Sequence, residues 1–460
     1  MSRDAHLYPL RQTQVEPSDD ALWNWAQNTR IGSRQQVKRP ANEAELQEIM
    51  RQSQGRVRVM GSRLSPGRML QVDENHLLLD LSALSGLIAS DENSATFGAG
   101  TSLQQIYATL TTMDRMLASS PGVIAVQTLA GAMATGTHGQ GLQQSSLADE
   151  ALRIRMVLAD GSLREFVRGQ EDFSAAQVTL GALGIVTAVT LRTAPFRIFT
   201  CHKYAVTADR LEQDLPRWNE AYPFSKAWWF VDDNLMHVWN AHEASPEDRQ
   251  RYEQRGRKVV EHADTGDDSL NDTIDQTLAH MHRDTQIHGK GGKQFRTVTR
   301  FRDFTDVTGD IYQLFCRGIA VPQINVEIGV PLENTPAIIS KIKSWYARNQ
   351  PHMHYPVILR CTGASSAWLS PAYGRPTCFF GFVVYYADDG SLSQEGLHFL
   401  TDVEKLLAEE GGRPHWGKYY DDERYTWREI YPRWDEFRAL RNQLDPQRRF
   451  SNDYIITLFD

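Results

Sequence analysis

A histidine and a lysine stand three residues apart late in the chain, in Arg413-Pro414-His415-Trp416-Gly417-Lys418. The imidazole can donate or accept a hydrogen bond, and the ammonium can stabilise a developing oxyanion or enolate. Pro414 and Gly417 suit a backbone shaped around a ligand, although a surface turn with a solvated lysine would use the same residues. Leu444-Asp445-Pro446 and Phe450-Ser451-Asn452 follow.

Three glycine-rich segments lie far upstream. Gly61-Ser62-Arg63-Leu64-Ser65-Pro66-Gly67 follows the strand-like Val57–Met60. Its small residues would let backbone N–H groups converge on a phosphate as an anion-binding nest, and they would equally serve a plain β-turn. It is neither a G-x-x-x-x-G-K-[ST] loop nor a G-x-G-x-x-G fingerprint. The second segment is Pro121-Gly122, then Thr128-Leu129-Ala130-Gly131-Ala132-Met133-Ala134-Thr135-Gly136-Thr137-His138-Gly139-Gln140-Gly141. A core would use larger side chains here, so close approach of backbone to a large flat ligand with phosphates explains the composition better. In the third, Thr179-Leu180-Gly181-Ala182-Leu183-Gly184-Ile185-Val186, the glycines permit a helix end and a sharp turn into a strand.

The elements that must hold these segments are legible in the hydrophobic periodicity. Asn42–Gln54 has helical spacing, and Ser102–Thr112 is a helix with Thr101 or Ser102 as its N-cap. His76–Leu84 and Ala95–Gly100 read as short strands, and Pro121–Gly141 as a loop with one short helix. Arg153–Leu158 and Leu163–Val167 form a hairpin across Ala159-Asp160-Gly161-Ser162. Phe173–Leu183 is expected to be helical up to Gly184, with Ile185–Thr193 a strand. Residues from about 20 to 195 thus make one α+β unit. Beyond Pro195, Ala227–Trp239, Asn325–Val330, Pro356–Thr362 and Cys378–Tyr386 alternate like strands. Asn334–Arg348 and Leu392–Glu410 read as helices, so a second unit on an antiparallel sheet is expected. A polar stretch at about 243–292 reads as an insertion with helices or mobile loops.

Bulk properties exclude several functions. The 460 residues suffice for two or more domains, and 41% hydrophobic with 23% charged is ordinary for a globular protein. A net charge of −8 gives no support to nucleic-acid binding. The longest apolar run, about Cys378–Tyr386, falls far below the ~20 residues that span a bilayer, so no integral membrane segment is expected. Met1–His6 has neither signal-peptide nor transit-peptide character, and a cytoplasmic protein follows. Cys201, Cys316, Cys361 and Cys378 are scattered without a C-x-x-C pair, against zinc, iron–sulfur or disulfide frameworks. His262, His280, His282 and His288 sit in the polar insertion without a regularly spaced carboxylate or cysteine, so no metal site is expected.

Taken jointly, the motifs resemble the vanillyl-alcohol-oxidase type of flavoprotein, and within it the aldonolactone oxidoreductases. These include L-gulonolactone oxidase, D-arabinono-1,4-lactone oxidase and plant galactonolactone dehydrogenase, with alditol oxidase a near relative. The resemblance runs through Trp23-Asn24-Trp25-Ala26, Ala130-Gly131, Gly136-Thr137-His138-Gly139 and Leu180-Gly181-Ala182-Leu183-Gly184. It continues in Val357-Ile358-Leu359-Arg360, Leu369-Ser370-Pro371-Ala372-Tyr373, Arg413–Lys418, Asp445-Pro446 and Phe450-Ser451-Asn452.

That resemblance implies an α+β fold: a two-lobed PCMH-type FAD-binding domain over residues 15–195, an antiparallel-sheet cap for substrate over 196–410, and a C-terminal segment, 411–460, returning to the flavin site. Gly61, Ser62, Arg63, Leu64 and Ser65 would cradle the pyrophosphate with Thr128, Gly131, Thr135, Gly136, Thr137 and His138. Ile185 would touch the cofactor through its backbone, and His415 would reach the flavin. Many relatives attach the flavin covalently through a histidine where this chain has Leu64, so non-covalent FAD is expected. Gly122 corresponds to a site whose side chain controls oxygen access, and glycine leans towards oxidase behaviour; a plain turn glycine is the alternative. Glu327, on Ile324–Pro331, matches a substrate-binding glutamate and would face the flavin with Asn325 and Gly329. Gly329 stands where several relatives carry arginine, and Arg360 on a neighbouring strand could supply that charge. Lys418 would sit at the substrate.

The implied activity is FAD-dependent oxidation of a CH–OH group of an aldonolactone or related polyhydroxylated small molecule, with O₂ or another acceptor taking the electrons. Two other readings stay open: the same fold acting on a non-sugar alcohol or amine with a non-oxygen acceptor, and a flavin carrier or sensor without turnover. Glu327 and Lys418 together count against the last.

Overall fold

The computed structural model describes residues 20–120, 122, 124–262, 306–316, 323–351, 355–386 and 394–460. Local signals start the first unit. Asn42 accepts from the Glu45 N–H to cap the helix Glu43–Gln52, whose buried Leu46 and Met50 face the sheet behind it. Ser102 and Gln105 form a reciprocal capping box on the helix Leu103–Thr112. Two sheets carry the unit. A parallel one is ordered Val37–Lys38, Leu77–Asp80, Val57–Met60. An antiparallel one is ordered Leu163–Val167, Ala151–Val157, Ile185–Arg192, Ser94–Gly98, Leu87–Ser90. Leu46, Met50, Val57, Leu79 and Ile185 pack between them.

The second unit is built on a sheet of nine described strands, all antiparallel. Its order is Val260–Glu261, Val307–Gly309, Phe199–Thr207, Leu235–Glu243, Phe224–Phe230, Val357–Thr362, Thr377–Tyr385, Gln323–Pro331, Arg413–Pro414. Alternation decides its two faces. Val326, Ile328, Val330, Leu359, Phe380 and Phe382 form one core with Leu211 and Leu215 of Leu211–Ala221, Ile338, Ile339 and Ile342 of Thr335–Asn349, and Leu400 and Val403 of Gln394–Ala408. Each large apolar side chain buried there contributes about 1.5–3 kcal/mol. The intervening residues Glu327, Arg360 and Phe379 are therefore turned to the opposite face.

The last strand, Arg413–Pro414, pairs with Ile328–Gly329 and leads into the His415 turn. Trp416 is fully buried there, stacked on Trp427 (5.0 Å between centroids) and Tyr431 (5.4 Å). This aromatic cluster anchors the turn from behind.

Two expected elements differ. The helix expected over Phe173–Leu183 spans only Phe173–Gln177. Leu180 and Gly181 take left-handed backbone (φ +53° and +66°), and their carbonyls accept from the Arg58 guanidinium instead of continuing a helix. Ala227–Trp239 is not one strand but the hairpin Phe224–Phe230 and Leu235–Glu243, turned at Asn234 with φ +51°. The polar insertion contributes the helix Pro246–Gln254 and the strand Val260–Glu261. Its residues 263–292, with His280, His282 and His288, lie outside the described residues, as do residues 15–19 and Pro121. Among the described residues no helix is long and apolar enough to cross a membrane.

Candidate active site

A cavity of about 320 Å³ opens between the two sheets of the first unit. Gly61, Ser62, Arg63, Leu64, Ser65, Thr128, Gly131 and Thr135 all line it, together with Leu180, Gly181, Gly184 and Val186. Its walls combine backbone and small side chains with larger ones, among them Arg58, Met60, Arg63, Met69 and Asp80. Thr128 caps the short helix Leu129–Ala134, and a Cβ added at Gly61 would overlap the Thr128 hydroxyl. The Ser62 hydroxyl donates to the Val126 carbonyl, and Arg63 takes left-handed backbone at φ +58°. Such a cradle suits a phosphate-bearing flat ligand approached by backbone N–H groups.

Ile185 does not line the cavity with its side chain, which is buried against Leu46 and Val57; its neighbours Gly184 and Val186 do. Nor do Gly122, Gly136, Thr137, His138 and His415 belong to this wall.

Arg58 was not anticipated. Its guanidinium is buried and donates to the carbonyls of Met69 (2.8 Å), Leu180 (2.7 Å), Gly181 (3.1 Å) and Phe450 (2.9 Å). Burial, with Arg441 nearby, lowers its pKa to about 10, so it stays charged at neutral pH. An arginine between two valines on a strand gives no hint in the sequence that it ties four loops together.

The catalytic candidates gather where the second unit meets the His415 turn. Glu327 is 3% exposed, and one Arg360 N–H donates to its Oε1. Lys418 Nζ lies 3.8 Å from Oε2, and His138 Nε2 lies 3.4 Å from Oε1. The Glu327 carbonyl accepts from the His415 N–H (2.8 Å), which clips the turn to the strand. Thr135 joins the two regions, because a Cβ on Gly417 would stand 3.1 Å from its Oγ1.

Hydrogen bonds fix the tautomers of the two histidines. His415 Nδ1 accepts from the Gly417 N–H (2.9 Å), so its proton is on Nε2. His138 Nδ1 stands 3.0 Å from the Gly139 carbonyl, which only accepts, so its proton is on Nδ1 and the Nε2 lone pair is free. That Nε2 has no hydrogen-bond partner among the described residues. The 3.4 Å approach to Glu327 therefore sets one acceptor beside another and is not a hydrogen bond.

Charges follow from burial and neighbours. Burial pushes the Glu327 carboxyl up, but the cations Arg360, foremost, and Lys418 outweigh it and hold the group well below the usual carboxylate range. Burial keeps His415 neutral despite Glu327, and burial with Arg360 does the same to His138. Burial also lowers Lys418, partly offset by Glu327. The donor atoms of His138, Glu327 and His415 lie within 4.8 Å of one another, a spacing metals use. Arg360 and Lys418 already provide the positive charge there, and His415 Nδ1 is engaged by Gly417.

Phe379 stacks on His138 at 3.5 Å between centroids. It also explains Gly329: a Cβ there would stand 2.9 Å from the Phe379 ring and 2.8 Å from Thr377 Cγ2. Phe379 occupies that place, and Arg360, its partner in register, approaches Glu327 from the other side. Gly122 borders the same cluster with φ +82°, and a Cβ on it would lie 2.7 Å from Arg360 Nη1 and 2.8 Å from the His138 carbonyl. His262, the one described histidine of the four in the insertion, is elsewhere, with Nε2 2.9 Å from Thr308 Oγ1.

The chain is similar to known proteins along nearly its whole length. Residues 189–458 match the family described as D-arabinono-1,4-lactone oxidase, and residues 35–166 match the FAD binding domain family. The L-gulono-1,4-lactone dehydrogenase of Mycobacterium tuberculosis is 29% identical over 450 residues, 94% of this chain and 98% of its own. The alditol oxidase of a Streptomyces species is 26% identical over 455 residues, covering 96% and 99%. Cholesterol oxidase from Brevibacterium sterolicum superposes with a TM-score of 0.71 at 16% identity, over 98% of this chain and 100% of that one, a likeness of fold alone.

Proposed function

The chain belongs to the D-arabinono-1,4-lactone oxidase family, and on that premise we propose that it oxidises a CH–OH group of an aldonolactone or related polyol at the Glu327 cluster. It is an FAD-dependent oxidoreductase with the two-lobed PCMH-type fold. The FAD-binding domain is assigned to residues 15–195, the substrate cap to 196–410 and the completing segment to 411–460.

The cavity lined by Gly61–Ser65, Thr128, Gly131 and Thr135 takes the pyrophosphate, and the absence of side chains where a Cβ would collide supports that fit. Gly136, Thr137, His138, the Ile185 backbone and the Nε2–H of His415 hold the flavin end. Bound FAD supplies the hydride acceptor. Leu64 presents only hydrocarbon, so this position offers no nucleophile for a covalent link, which supports non-covalent FAD. Acid precipitation should therefore leave the yellow colour in solution, whereas a yellow pellet would refute that point.

Glu327 and His138 serve the substrate hydroxyl. The ionised carboxylate orients it, and the free Nε2 of His138 takes its proton, becoming an imidazolium that Glu327 stabilises. Lys418 steadies negative charge on the substrate oxygen as the C–H bond weakens. Arg360 keeps Glu327 charged and in place. Molecular oxygen is proposed as final acceptor, giving hydrogen peroxide, with Gly122 leaving the wall beside Arg360 without a methyl group. The four cysteines are buried and form no disulfide, which suits the proposed cytoplasmic location.

The observation that carries this reading is the buried carboxylate facing Arg360, Lys418 and an unpartnered imidazole nitrogen. Anaerobic mixing of the holoenzyme with a panel of aldonolactones and alditols tests it. At least one should bleach the flavin absorbance within seconds; bleaching by none would overturn it.

A further inference from the structure

The strands Phe199–Thr207 and Leu235–Glu243 carry a second histidine pair, away from the Glu327 cluster. Thr200 is opposite His242 and His202 is opposite Asn240, so the two histidines are diagonal neighbours on one face. The register across the sheet runs Lys203, Trp239, Lys226, Arg360, Phe379. Since His202 adjoins Lys203, the pair lies on the face opposite Arg360. Both histidines are partly exposed.

Their hydrogen bonds leave one physical problem. His202 Nδ1 lies 2.6 Å from Asp306 Oδ2, whose other oxygen accepts from the Lys203 N–H at 3.1 Å. His242 Nδ1 lies 2.8 Å from the Glu243 carbonyl. Carboxylate and carbonyl oxygens accept, so both Nδ1 atoms carry protons. Both Nε2 atoms are then bare lone pairs, yet they face each other at 2.8 Å. Two such lone pairs repel unless a cation lies between them, either a shared proton or a metal ion.

We propose that His202 and His242 form a binding site for a zinc-class divalent ion, with water completing its shell. The arrangement has the second shell such sites use: each imidazole has its Nδ1–H held by an oxygen, one of them a carboxylate, which fixes the ring and aims Nε2. Imidazole nitrogen suits zinc, nickel and copper rather than magnesium or calcium. Two nitrogens at ~2.0–2.1 Å from a tetrahedral ion stand about 3.3 Å apart, so the rings need open by only about half an ångström. Asp306 acts as a positioning residue, not a ligand. The ion would bind native protein and not the unfolded chain, tying together two neighbouring strands, of which Phe199–Thr207 also pairs with Val307–Gly309.

Calorimetric titration of the holoenzyme tests this, with Zn²⁺ as probe and Mg²⁺ as control. One Zn²⁺ per chain should bind in the micromolar range and raise Tm with its concentration. The double variant H202Q/H242Q should lose that binding. D306N should weaken it about 10–100-fold, the usual effect of removing such a carboxylate. Both should keep wild-type rates of flavin reduction, which also shows that they fold. Equal Zn²⁺ affinity in wild type and H202Q/H242Q would overturn the proposal, as would no Zn²⁺ binding to wild type at millimolar concentration.

Discussion

Glu327 and Glu404 are both buried glutamates, at 3% and 0% exposure, yet their surroundings give them opposite states. Glu327 faces Arg360, His138 and Lys418 and is held ionised. Glu404, on the helix Gln394–Ala408, has Oε1 hydrogen-bonded to the Asp421 N–H and the Tyr425 hydroxyl, each at 2.9 Å. Its nearest cation, Arg424, is 3.9 Å away, and Oε2 has no hydrogen-bond partner among the described residues. Burial there outweighs those bonds and pushes the group up to about 8. Burial by itself thus makes a glutamate neutral, and only the two cations Arg360 and Lys418 keep Glu327 a carboxylate. An anion maintained against its surroundings is a mark of chemistry, whereas Glu404 is a structural acid.

The comparison can be broken in stages. Neutralising the anion has the largest expected effect: E327Q removes the counter-ion of the His138 imidazolium and should slow anaerobic flavin reduction by substrate about 10²–10⁴-fold, the range of acid–base catalysis, with FAD still bound. K418A should fall in the lower part of that range. R360Q should turn Glu327 into a second Glu404. Its carboxyl pKa then rises, so reduction, level with pH in wild type near neutrality, should fall as pH is lowered towards the raised value. Breaking this buried pair should also cost about 3–5 kcal/mol of stability, read as a lower Tm. G122A should perturb the cluster less, because its methyl forces the Arg360 guanidinium to shift. About a tenfold loss in reduction rate is expected on the scale of a 1–3 kcal/mol overpacking cost. If G122A altered only oxygen reactivity, Gly122 would belong to the gas path alone.

The smallest effect belongs to Glu404. Its folded pKa of about 8 exceeds the ordinary value of 4.5, so between those values the native state holds a proton that the unfolded chain has released. Its stabilising effect is complete below 4.5 and disappears as pH rises through about 8. E404Q should flatten that decline in denaturant midpoints without changing the rate of flavin reduction. An unchanged slope would mean that Glu404 is already ionised in the native protein.

Much of this was legible in the chain. Alternation in Ile324–Pro331 turns Glu327 away from its apolar neighbours, and the small residues of Gly61–Ser65 and Thr128–Gly131 announce a backbone-built cradle. What escaped reading depends on contacts remote in sequence. Arg58 reaches carbonyls of residues 180 and 450, the Phe379 ring fills the space over Gly329, and the free nitrogen of His138 is defined only by the Gly139 carbonyl. The helix expected through Leu183 failed for the same reason, since its carbonyls found a guanidinium. His202 and His242 are forty positions apart and become partners only through strand pairing.

The Arg58 clamp has a consequence for how the ends of the chain behave. It fastens Phe450, ten residues from the terminus, to Met69 and to the Leu180–Gly181 wall of the cofactor cavity. Tightening of that wall by FAD would be transmitted to the terminal helix Asp453–Phe459, and fraying of the helix would loosen the wall. Cofactor retention and protease resistance of the tail are then one equilibrium seen from two places. The last ten residues would act as a latch on the prosthetic group without touching it.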